Sequence, residues 1–347
     1  MKFIRGSDGN HGRYESHGRN EVIASIPPIP SHKSHLAQPA GIPRVILCLL
    51  LRYRLEYALI WPVIKGLGLL PRPAARAVAQ VLGWLLWLIT PRLRRVAHRN
   101  LTLAMPELSA AERKRIVRGV YCSLARQIAE VALLPRLTPA NISEVVTYDG
   151  FENYAKAIAQ GHGVLFLTGH LGAWELSAFA HALCGHPLYI LIRALDNPLL
   201  NGLVNHYRTM SGNKIIEKRD FLRGILAALK ENQAVGILAD QNSSMTEGVM
   251  VDFFGTPACT AAGLARIALK TGAAVVPGFT LWDGAKYRLR FEPAVTLVST
   301  GDADADAVAN TQLFTKVIEG FVRRYPDQWL WIHRRWKTRA PGQPEIY

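Results

Sequence analysis

Cysteine is scarce in this chain of 347 residues, and the cysteines that occur are far apart. The four are Cys48, Cys122, Cys184 and Cys259, and no two of them form a C-x-x-C pair. This spacing excludes a cysteine-ligated zinc knuckle and a disulfide scaffold. Thiols without partners are typical of proteins in a reducing compartment, so we expect a cytoplasmic setting.

Acidic residues are few relative to basic ones. The chain has 26 Asp and Glu against 41 Lys and Arg, a net charge of +15. Between Arg44 and Arg136 there are 16 Lys and Arg against 4 Asp and Glu, a net of +12. These cations alternate with Leu, Ile and Trp rather than with Ser, Gly or Asn. That mixture favours an anionic membrane surface over nucleic acid as the partner.

The chain also lacks a long uninterrupted hydrophobic run. A membrane-spanning helix needs about 20 apolar residues with few charges. The stretch over 45–70 is apolar but contains Arg52, Arg54, Glu56 and Pro62, and the stretch over 74–89 ends before an arginine cluster. We expect an N-terminal membrane-associated helical segment that either spans the bilayer or lies on it. Two buried helices are the alternative.

Hydrophobic periodicity is absent from the first 42 residues, which are rich in Gly, Ser, His, Asn and Pro. This composition predicts a disordered leader, and the missing apolar core argues against a signal peptide. We therefore predict a leader over 1–42, a helical membrane-associated region over 43–140 and an α/β catalytic region over 141–340. Residues 43–340 are expected to form one structural unit.

From residue 145 onward, short β-branched runs alternate with helical patterns. This alternation predicts a twisted, mostly parallel sheet flanked by helices, an α/β fold. The predicted strands are Val145–Tyr148, Val164–Thr168, Leu188–Ile192, Lys214–Ile216, Val235–Leu238, Ala274–Leu281 and Tyr287–Phe291. The predicted helices are Ala173–Leu183, Pro198–Met210, Phe221–Lys230, Ala261–Thr271 and Ala305–Arg324, preceded by an amphipathic helix over Ser109–Val131.

The most informative segment follows the second of these strands, where His170 is succeeded five residues later by Glu175. Ligands bind beyond the carboxyl ends of strands in such sheets. A neutral imidazole suits removal of a proton from a hydroxyl near neutral pH. A carboxylate in the first turn of the next helix would hold the ring in one tautomer. We therefore expect His170 to be a general base and Glu175 its orienting acid.

The residues around this pair favour acyl transfer. Gly169 and Gly172 are expected to leave space for a thioester and a hydroxyl. Trp174, with Leu171 and Phe166, is expected to form an apolar wall for an acyl chain. No nucleophilic Ser or Cys lies between the pair, which indicates direct attack by the acceptor hydroxyl rather than a covalent acyl-enzyme.

A metal site is not expected. The histidines His162, His170, His181 and His186 do not match the spacing of zinc motifs. The prediction is therefore a reaction without metal or other cofactor, in which the acyl donor is a co-substrate.

Over a longer span the chain resembles the bacterial late lipid A acyltransferases, the lauroyl and myristoyl acyltransferase family within the H-x4-D/E lysophospholipid acyltransferases. The resemblance runs from about Val45 to Lys337. Five blocks carry it, in this order: Thr168–Leu176, Arg193–Leu199, Ala239–Asn242 with Gly248–Val249 and Phe253–Pro257, Thr271–Pro277, and Gln328–Lys337. The family usually has a cleaner hydrophobic anchor and a shorter leader than this chain.

The resemblance implies transfer of a fatty acyl group from acyl carrier protein, or acyl-CoA, to a hydroxyl of a lipid A precursor at the cytoplasmic side of the inner membrane. It places His170 and Glu175 in catalysis. By the same resemblance, Arg208, Asp240 and Arg193 are expected to bind substrate. Gln241 follows the same predicted strand as Asp240, so we expect it to lie in the same cleft and to bind substrate as well. The Phe253–Pro257 block is expected to form a mobile apolar lip beside the cleft, with an ordinary turn as the alternative.

The basic surface fits three anionic partners: acyl carrier protein, the anionic glycolipid acceptor and the inner membrane surface. Nucleic acid is not expected as a partner. Two alternatives remain open at this point. One is acylation of another glycolipid, such as a phosphatidylinositol mannoside, and the other is a catalytically silent lipid-binding protein on the same fold.

Overall fold

The computed structural model describes residues 44–217 and 220–347. The leader predicted over 1–42 therefore lies outside the described residues. From Val45 to Tyr347 the chain forms one compact unit.

Four helices come first: α1 (Arg44–Leu69), α2 (Arg72–Ile89), α3 (Pro91–Ala104) and α4 (Ala110–Leu133). The start of α4 is set by a capping box, in which Ser109 Oγ accepts from the backbone N–H of Glu112 at 3.2 Å. In return, the Glu112 carboxylate accepts from the Ser109 N–H at 2.8 Å. This reciprocal pair satisfies two backbone donors that a helix start otherwise leaves unpaired.

Large apolar side chains are exposed along α1 and α2. Leu59 and Ile89 are each 72 % exposed, and Leu55, Trp61, Val81 and Trp84 are exposed as well. Within the described part of the chain, no single helix is both long and apolar enough to cross a membrane. Only α2 and α3 together reach that length and composition, and they are bent by 87° where they meet.

A seven-stranded sheet follows, with the strand order β1-β9-β8-β2-β5-β3-β4. The five strands from β8 to β4 are parallel, β9 runs antiparallel to β8, and β1 is parallel to β9. The mostly parallel sheet that we predicted is confirmed. The strands are β1 (Val146–Asp149), β2 (Val164–Thr168), β3 (Tyr189–Ile192), β4 (Lys214–Glu217), β5 (Ala234–Leu238), β8 (Ala274–Trp282) and β9 (Tyr287–Phe291).

Both faces of this sheet are buried. Along β2, Leu165 and Leu167 enter one hydrophobic core, whereas Val164 and Phe166 enter the other. Period-two alternation with apolar residues on both sides is typical of a parallel sheet covered by helices. The covering helices are α5 (Phe151–Ile158), α6 (Trp174–Leu183), α7 (Pro198–Thr209), α8 (Phe221–Lys230), α9 (Gly263–Thr271) and α10 (Ala303–Arg324).

Helix α5 was not predicted from the sequence, and neither was an antiparallel hairpin of β6 (Gly248–Phe253) and β7 (Thr256–Ala261). Its two-residue turn places Phe254 at φ 57° and Gly255 at φ 76°, as a type I′ turn requires. Phe253 and Phe254 are buried in the core, and the Phe254 N–H donates to Glu319 Oε2 at 2.9 Å. The expectation of a mobile apolar lip here was therefore wrong.

Candidate active site

Two adjacent strands end side by side at the predicted site. β2 ends at Thr168, two residues before His170, and β5 ends at Leu238, two residues before Asp240. Thr168 is paired with Leu238 in the parallel register of these strands. The two segments therefore leave the sheet together, at its carboxyl edge.

Asp240 holds the imidazole of His170 in place. Its Oδ1 lies 2.8 Å from His170 Nδ1, and its Oδ2 accepts from the His170 backbone N–H at 2.8 Å. The indole N–H of Trp329 donates to the same Oδ2 at 2.8 Å. Because Asp240 is only 3 % exposed, these three donors replace the water that a carboxylate normally binds. The ring of His170 is thus fixed by a carboxylate that is itself fixed.

The orienting contact that we predicted for Glu175 is made by Asp240 instead. Glu175 lies in the first turn of α6, as expected, but its carboxylate accepts a hydrogen bond from Arg208. Glu175 directly follows Trp174, whose ring centre lies 5.1 Å from that of His170, so Glu175 and His170 belong to one site. The role of Glu175 in catalysis stays a prediction.

Two glycines make the close approach of these segments feasible. A Cβ at Gly169 would lie 3.1 Å from Asp240 Cγ, and one at Gly172 would overlap the carbonyl oxygen of Thr280 on β8. Gly172 also has φ +63°, which disfavours any side chain. We expected these glycines to open space for substrates, but they face Asp240 and the sheet.

The charges around His170 raise the pKa of its ring, and the contact with Asp240 keeps a proton on Nδ1. Burial lowers the pKa of His170, but the charge of Asp240 and its hydrogen bond outweigh burial and raise the pKa above its usual value. Burial raises the pKa of Asp240, yet the charge and hydrogen bonds of His170 lower that pKa to about 2. Asp240 is therefore an ionised acceptor at neutral pH.

The other ring nitrogen is left as a base. Gln241 Nε2 lies 3.3 Å from His170 Nε2, which suits an amide that donates to the ring lone pair. In an imidazole protonated at Nδ1, Nε2 is the ring nitrogen that accepts a proton. The predicted proximity of Gln241 to His170 is therefore present.

Arg208 and Glu175 form a second charged pair in the site. Arg208 Nε donates to Glu175 Oε2 at 2.8 Å, and Arg208 Nη2 donates to Glu175 Oε1. The two side chains are 18 % and 17 % exposed. Burial lowers the pKa of Arg208, but its hydrogen bonds with Glu175 outweigh that effect and raise it. The guanidinium is permanently charged and held in one orientation.

Of the predicted apolar wall, only Trp174 is beside the base. Its ring is 5.1 Å from the His170 ring, in an edge-to-face arrangement. Leu171 is buried in one core and Phe166 in the other. The alternation of side chains along β2 turns Phe166 away from the end of the strand, so the grouping of these three residues was wrong.

Arg193 does not join this cluster. It follows β3, the strand next to β5, and it is exposed. Among the hydrogen bonds and ion pairs of the described residues, none joins Arg193 to His170, Asp240 or Glu175. Its predicted role in binding substrate stays a prediction.

Sequence reasoning missed Trp329 as a supporting residue of the site. Trp329 pairs with Leu171 through an isolated bridge, and the Leu330 N–H donates to the His170 carbonyl at 3.1 Å. The C-terminal segment over 329–338 therefore supports the His170 loop. Its motif Gln328-Trp329-Leu330-Trp331 was recognised, but nothing in it indicated Asp240 as the partner.

The described residues hold no group of three or more His, Cys, Asp or Glu side chains that could bind a metal ion. Of the four histidines considered above, His181 and His186 stack on each other in an aromatic cluster, with ring centroids 5.3 Å apart. His181 is 1 % exposed and lies against Tyr154 and Phe166. Its role is in packing.

Comparison with known proteins assigns the chain to a family. The family model for bacterial lipid A biosynthesis acyltransferases matches residues 46–338. The lipid A biosynthesis palmitoleoyltransferase of Escherichia coli (strain K12) is 29 % identical over 84 % of this chain and 95 % of its own length. The lauroyltransferase of the same strain is 29 % identical over 84 % and 94 %, and its myristoyltransferase is 28 % identical over 73 % and 78 %.

The family model covers both strands that end at the site and every residue named here around His170. The resemblance seen in five blocks of the sequence is thereby confirmed over most of the chain. The protein belongs to the bacterial lipid A biosynthesis acyltransferase family.

Proposed function

We propose that this O-acyltransferase moves a fatty acyl group from acyl carrier protein, or from acyl-CoA, to a hydroxyl of a lipid A precursor. The observation that carries the proposal is the buried Asp240 that fixes His170 at the carboxyl edge of the sheet. The relatives are named for three acyl groups, palmitoleoyl, lauroyl and myristoyl. We therefore propose a fatty acyl group as the class of group transferred, without a chain length.

The reaction is a direct transfer. The acceptor hydroxyl gives its proton to His170 Nε2 while its oxygen bonds to the thioester carbon. The carbonyl oxygen becomes an oxyanion, and the imidazolium is stabilised by the Asp240 carboxylate. The oxyanion then re-forms the carbonyl as the carbon–sulfur bond breaks, and the leaving thiolate takes the proton from His170. The products are an ester and a free thiol, and the base returns to its neutral form.

Arg208 has the charge that this intermediate needs. Glu175 accepts from its Nε and Nη2, and its Nη1 has no hydrogen bond among those of the described residues. A fixed cation of this kind stabilises an oxyanion as it forms. Losing such a donor costs roughly 3–4 kcal/mol of activation free energy. In this account Glu175 positions Arg208, and Asp240 positions His170.

The reaction is proposed to occur at the cytoplasmic face of the inner membrane. The exposed apolar side chains of α1 and α2 suit the acyl region of a bilayer. The net charge of +12 over 44–136 suits anionic lipid headgroups and an acidic acyl carrier protein. No metal or other cofactor is part of the proposal, nor is nucleic acid a partner.

The test is incubation of the purified protein and bacterial membranes with isotopically labelled acyl carrier protein thioester, followed by mass spectrometry of the lipids. We expect His170→Ala and Glu175→Ala each to reduce transfer at least about a hundredfold. His162→Ala is the control, because His162 is an exposed histidine outside the site.

Several outcomes would contradict the proposal. A labelled product other than an acylated lipid A precursor, such as an acylated phosphatidylinositol mannoside, would assign the enzyme to another acceptor. Near-normal transfer by both variants would exclude His170 and Glu175 from catalysis, and wild-type transfer no greater than that of membranes alone would support a catalytically silent lipid-binding protein. Salt-dependent retention of DNA on a filter would show a nucleic-acid partner instead.

A further inference from the structure

A cavity of about 340 Å³ lies next to the catalytic centre and plays no part in the steps described so far. Its polar rim includes the cations Arg92, Arg334 and Lys337. Its apolar lining consists of Leu93, Val96 and Ile332. The described residues that line it include no acidic side chain. A site of this kind suits a ligand that joins an anionic group to an apolar one.

The cavity is connected to the base through two consecutive residues. Gln241 lies beside His170 Nε2, and the next residue, Asn242, lines the cavity. Consecutive Cα atoms are about 3.8 Å apart. The cavity and the base are therefore neighbours along the Gln241–Asn242 segment.

The walls of the cavity are held in place by hydrogen bonds. Asn100 on α3 donates to the carbonyls of Trp331 and His333 at 2.7 and 2.8 Å. The Asn242 N–H donates to His333 Nε2 at 3.1 Å. The cations on α3 and on the C-terminal segment are thus presented by elements that are fastened to each other, and the site exists before a ligand arrives.

The three cations at the rim form no ion pair with an acidic side chain of the described residues. Among the ion pairs of the described residues, none involves Arg92, Arg334 or Lys337. Arg334 does contact an aromatic ring, because its guanidinium lies 5.8 Å from the centre of the Tyr347 ring. Arg92 also lies in the first turn of α3, where the helix dipole adds positive potential. Three cations and a helix start, all without a carboxylate, form a site for an anion.

The surroundings of the cavity favour an anion carried by a lipid. The α2 helix ends beside it with Leu88 and Ile89 exposed, and Leu93 at the rim is also exposed. These side chains suit the boundary between acyl chains and headgroups, which is the depth at which lipid phosphates lie.

From this geometry we infer that Arg92, Arg334 and Lys337 form a binding site for a phosphate group of the acceptor glycolipid. The inference rests on the proposed function and names how the acceptor is held. The phosphate binds at the rim while the apolar lining contacts the lipid. The hydroxyl to be acylated is thereby brought to His170 Nε2. A phosphodiester of the acyl donor has similar chemistry, and the experiment separates these two sources.

The test compares two triple variants of the full-length protein in detergent–lipid micelles. R92A/R334A/K337A removes the three cations of the site. K156A/K230A/K270A removes three charges from exposed lysines near the C-terminal ends of α5, α8 and α9. Those helices lead into the amino ends of β2, β5 and β8, at the edge of the sheet opposite to His170.

For the first variant we expect the KM for a lipid A precursor to rise at least about tenfold. Its KM for acyl carrier protein thioester and its kcat should stay within about twofold of the wild-type values. The control variant should match the wild type. Phosphatase treatment of the precursor should raise the wild-type KM to that of the variant, and the two proteins should then be indistinguishable.

Three results would overturn the inference. One is an equal rise in both triple variants, which would indicate general charge attraction. Another is a rise confined to the KM of the acyl donor, which would assign the cations to the donor. The third is an effect of the mutations that persists with the phosphatase-treated precursor. If the wild type transfers nothing, the proposed function fails instead, and binding of treated and untreated precursor to the two variants still tests the site.

Discussion

The side-chain amide of Asn197 donates to Glu56 Oε2 at 2.9 Å and to the Tyr53 carbonyl at 3.0 Å, so it fastens the start of α7 to the middle of α1. The Asn197 Oδ1 accepts from the N–H groups of Leu199 and Leu200, which caps α7. The same helix carries Arg208 near its other end. One buried side chain therefore links the exposed apolar helix to the charged pair of the active site.

We expect Asn197→Ala to lower the free energy of unfolding by about 1–2 kcal/mol, because both the cap and the link to α1 are lost. Asn197→Asp separates the two contributions. It keeps an oxygen that caps α7 but places a carboxylate against Glu56, so it should still weaken the link. Urea denaturation monitored by circular dichroism measures both variants. An Asn197→Ala protein as stable as the wild type would show that the link carries no stability.

Gly172 is expected to tolerate no side chain. In Gly172→Ala, the new Cβ would meet the Thr280 carbonyl while the backbone stays at a positive φ. Gly161→Ala is the matched control, since Gly161 has φ +81° but has open space around its Cβ position. We expect Gly172→Ala to be less stable than Gly161→Ala by at least about 1–3 kcal/mol, the usual range for overpacking.

Transfer activity provides a second measurement on the same pair. Gly172→Ala should reduce kcat, because the residue lies in the loop that carries His170. Gly161→Ala should leave kcat unchanged. Equal stability and equal kcat in the two variants would contradict the packing that we describe around Gly172.

His181 should make the protein less stable in mild acid. Burial lowers its pKa to about 3, whereas an unfolded histidine has a pKa of about 6.5. Between these values the unfolded chain binds a proton that the folded protein does not bind. Stability is therefore lost as the pH falls below about 6.5, by roughly 2 kcal/mol at pH 5.

His181→Phe tests this pH dependence, because it keeps a ring within the aromatic cluster and removes the titrating group. Denaturant unfolding at pH 7 and at pH 5 should show a smaller loss in the variant than in the wild type. Some loss should remain, because burial also lowers the pKa of His333, to about 4. An unchanged loss in the variant would exclude His181 as its source.

The elements that surround the site could be predicted from the sequence because their signals are local. β2 and β9 have the predicted ends, because the apolar run of β2 and the alternating pattern of β9 are each bounded by turns or glycine. The hairpin of β6 and β7 was missed, because Pro257 and the paired phenylalanines of its turn resemble a loop. Only tertiary packing shows that those phenylalanines are buried.

The partner of His170 could not be deduced from local spacing. Glu175 is five residues away along the chain and Asp240 is seventy, but β2 and β5 are adjacent in the sheet. That adjacency is a property of topology, which a single sequence leaves undetermined. The arginine that Glu175 holds comes from a third segment, α7. The sequence predicted one pair, His170 with Glu175, and treated Asp240 and Arg208 as separate substrate-binding residues. The structure instead has two pairs, His170 with Asp240 and Glu175 with Arg208.

The central claim is that Asp240, and not Glu175, orients the His170 ring and raises its pKa. The pH dependence of kcat/KM tests this claim in the wild type and in two variants, Asp240→Asn and Glu175→Gln. In the wild type, activity should fall as the pH drops through a pKa above the ordinary histidine value, because the protonated ring cannot accept a proton. Asp240→Asn should reduce the rate at least about a hundredfold and move this acidic limb to lower pH.

Glu175→Gln should also lose rate, through Arg208, but its acidic limb should stay much closer to that of the wild type. We therefore predict that the acidic limb of the kcat/KM profile shifts much more in Asp240→Asn than in Glu175→Gln. A large shift in Glu175→Gln, together with an unshifted limb in Asp240→Asn, would contradict it.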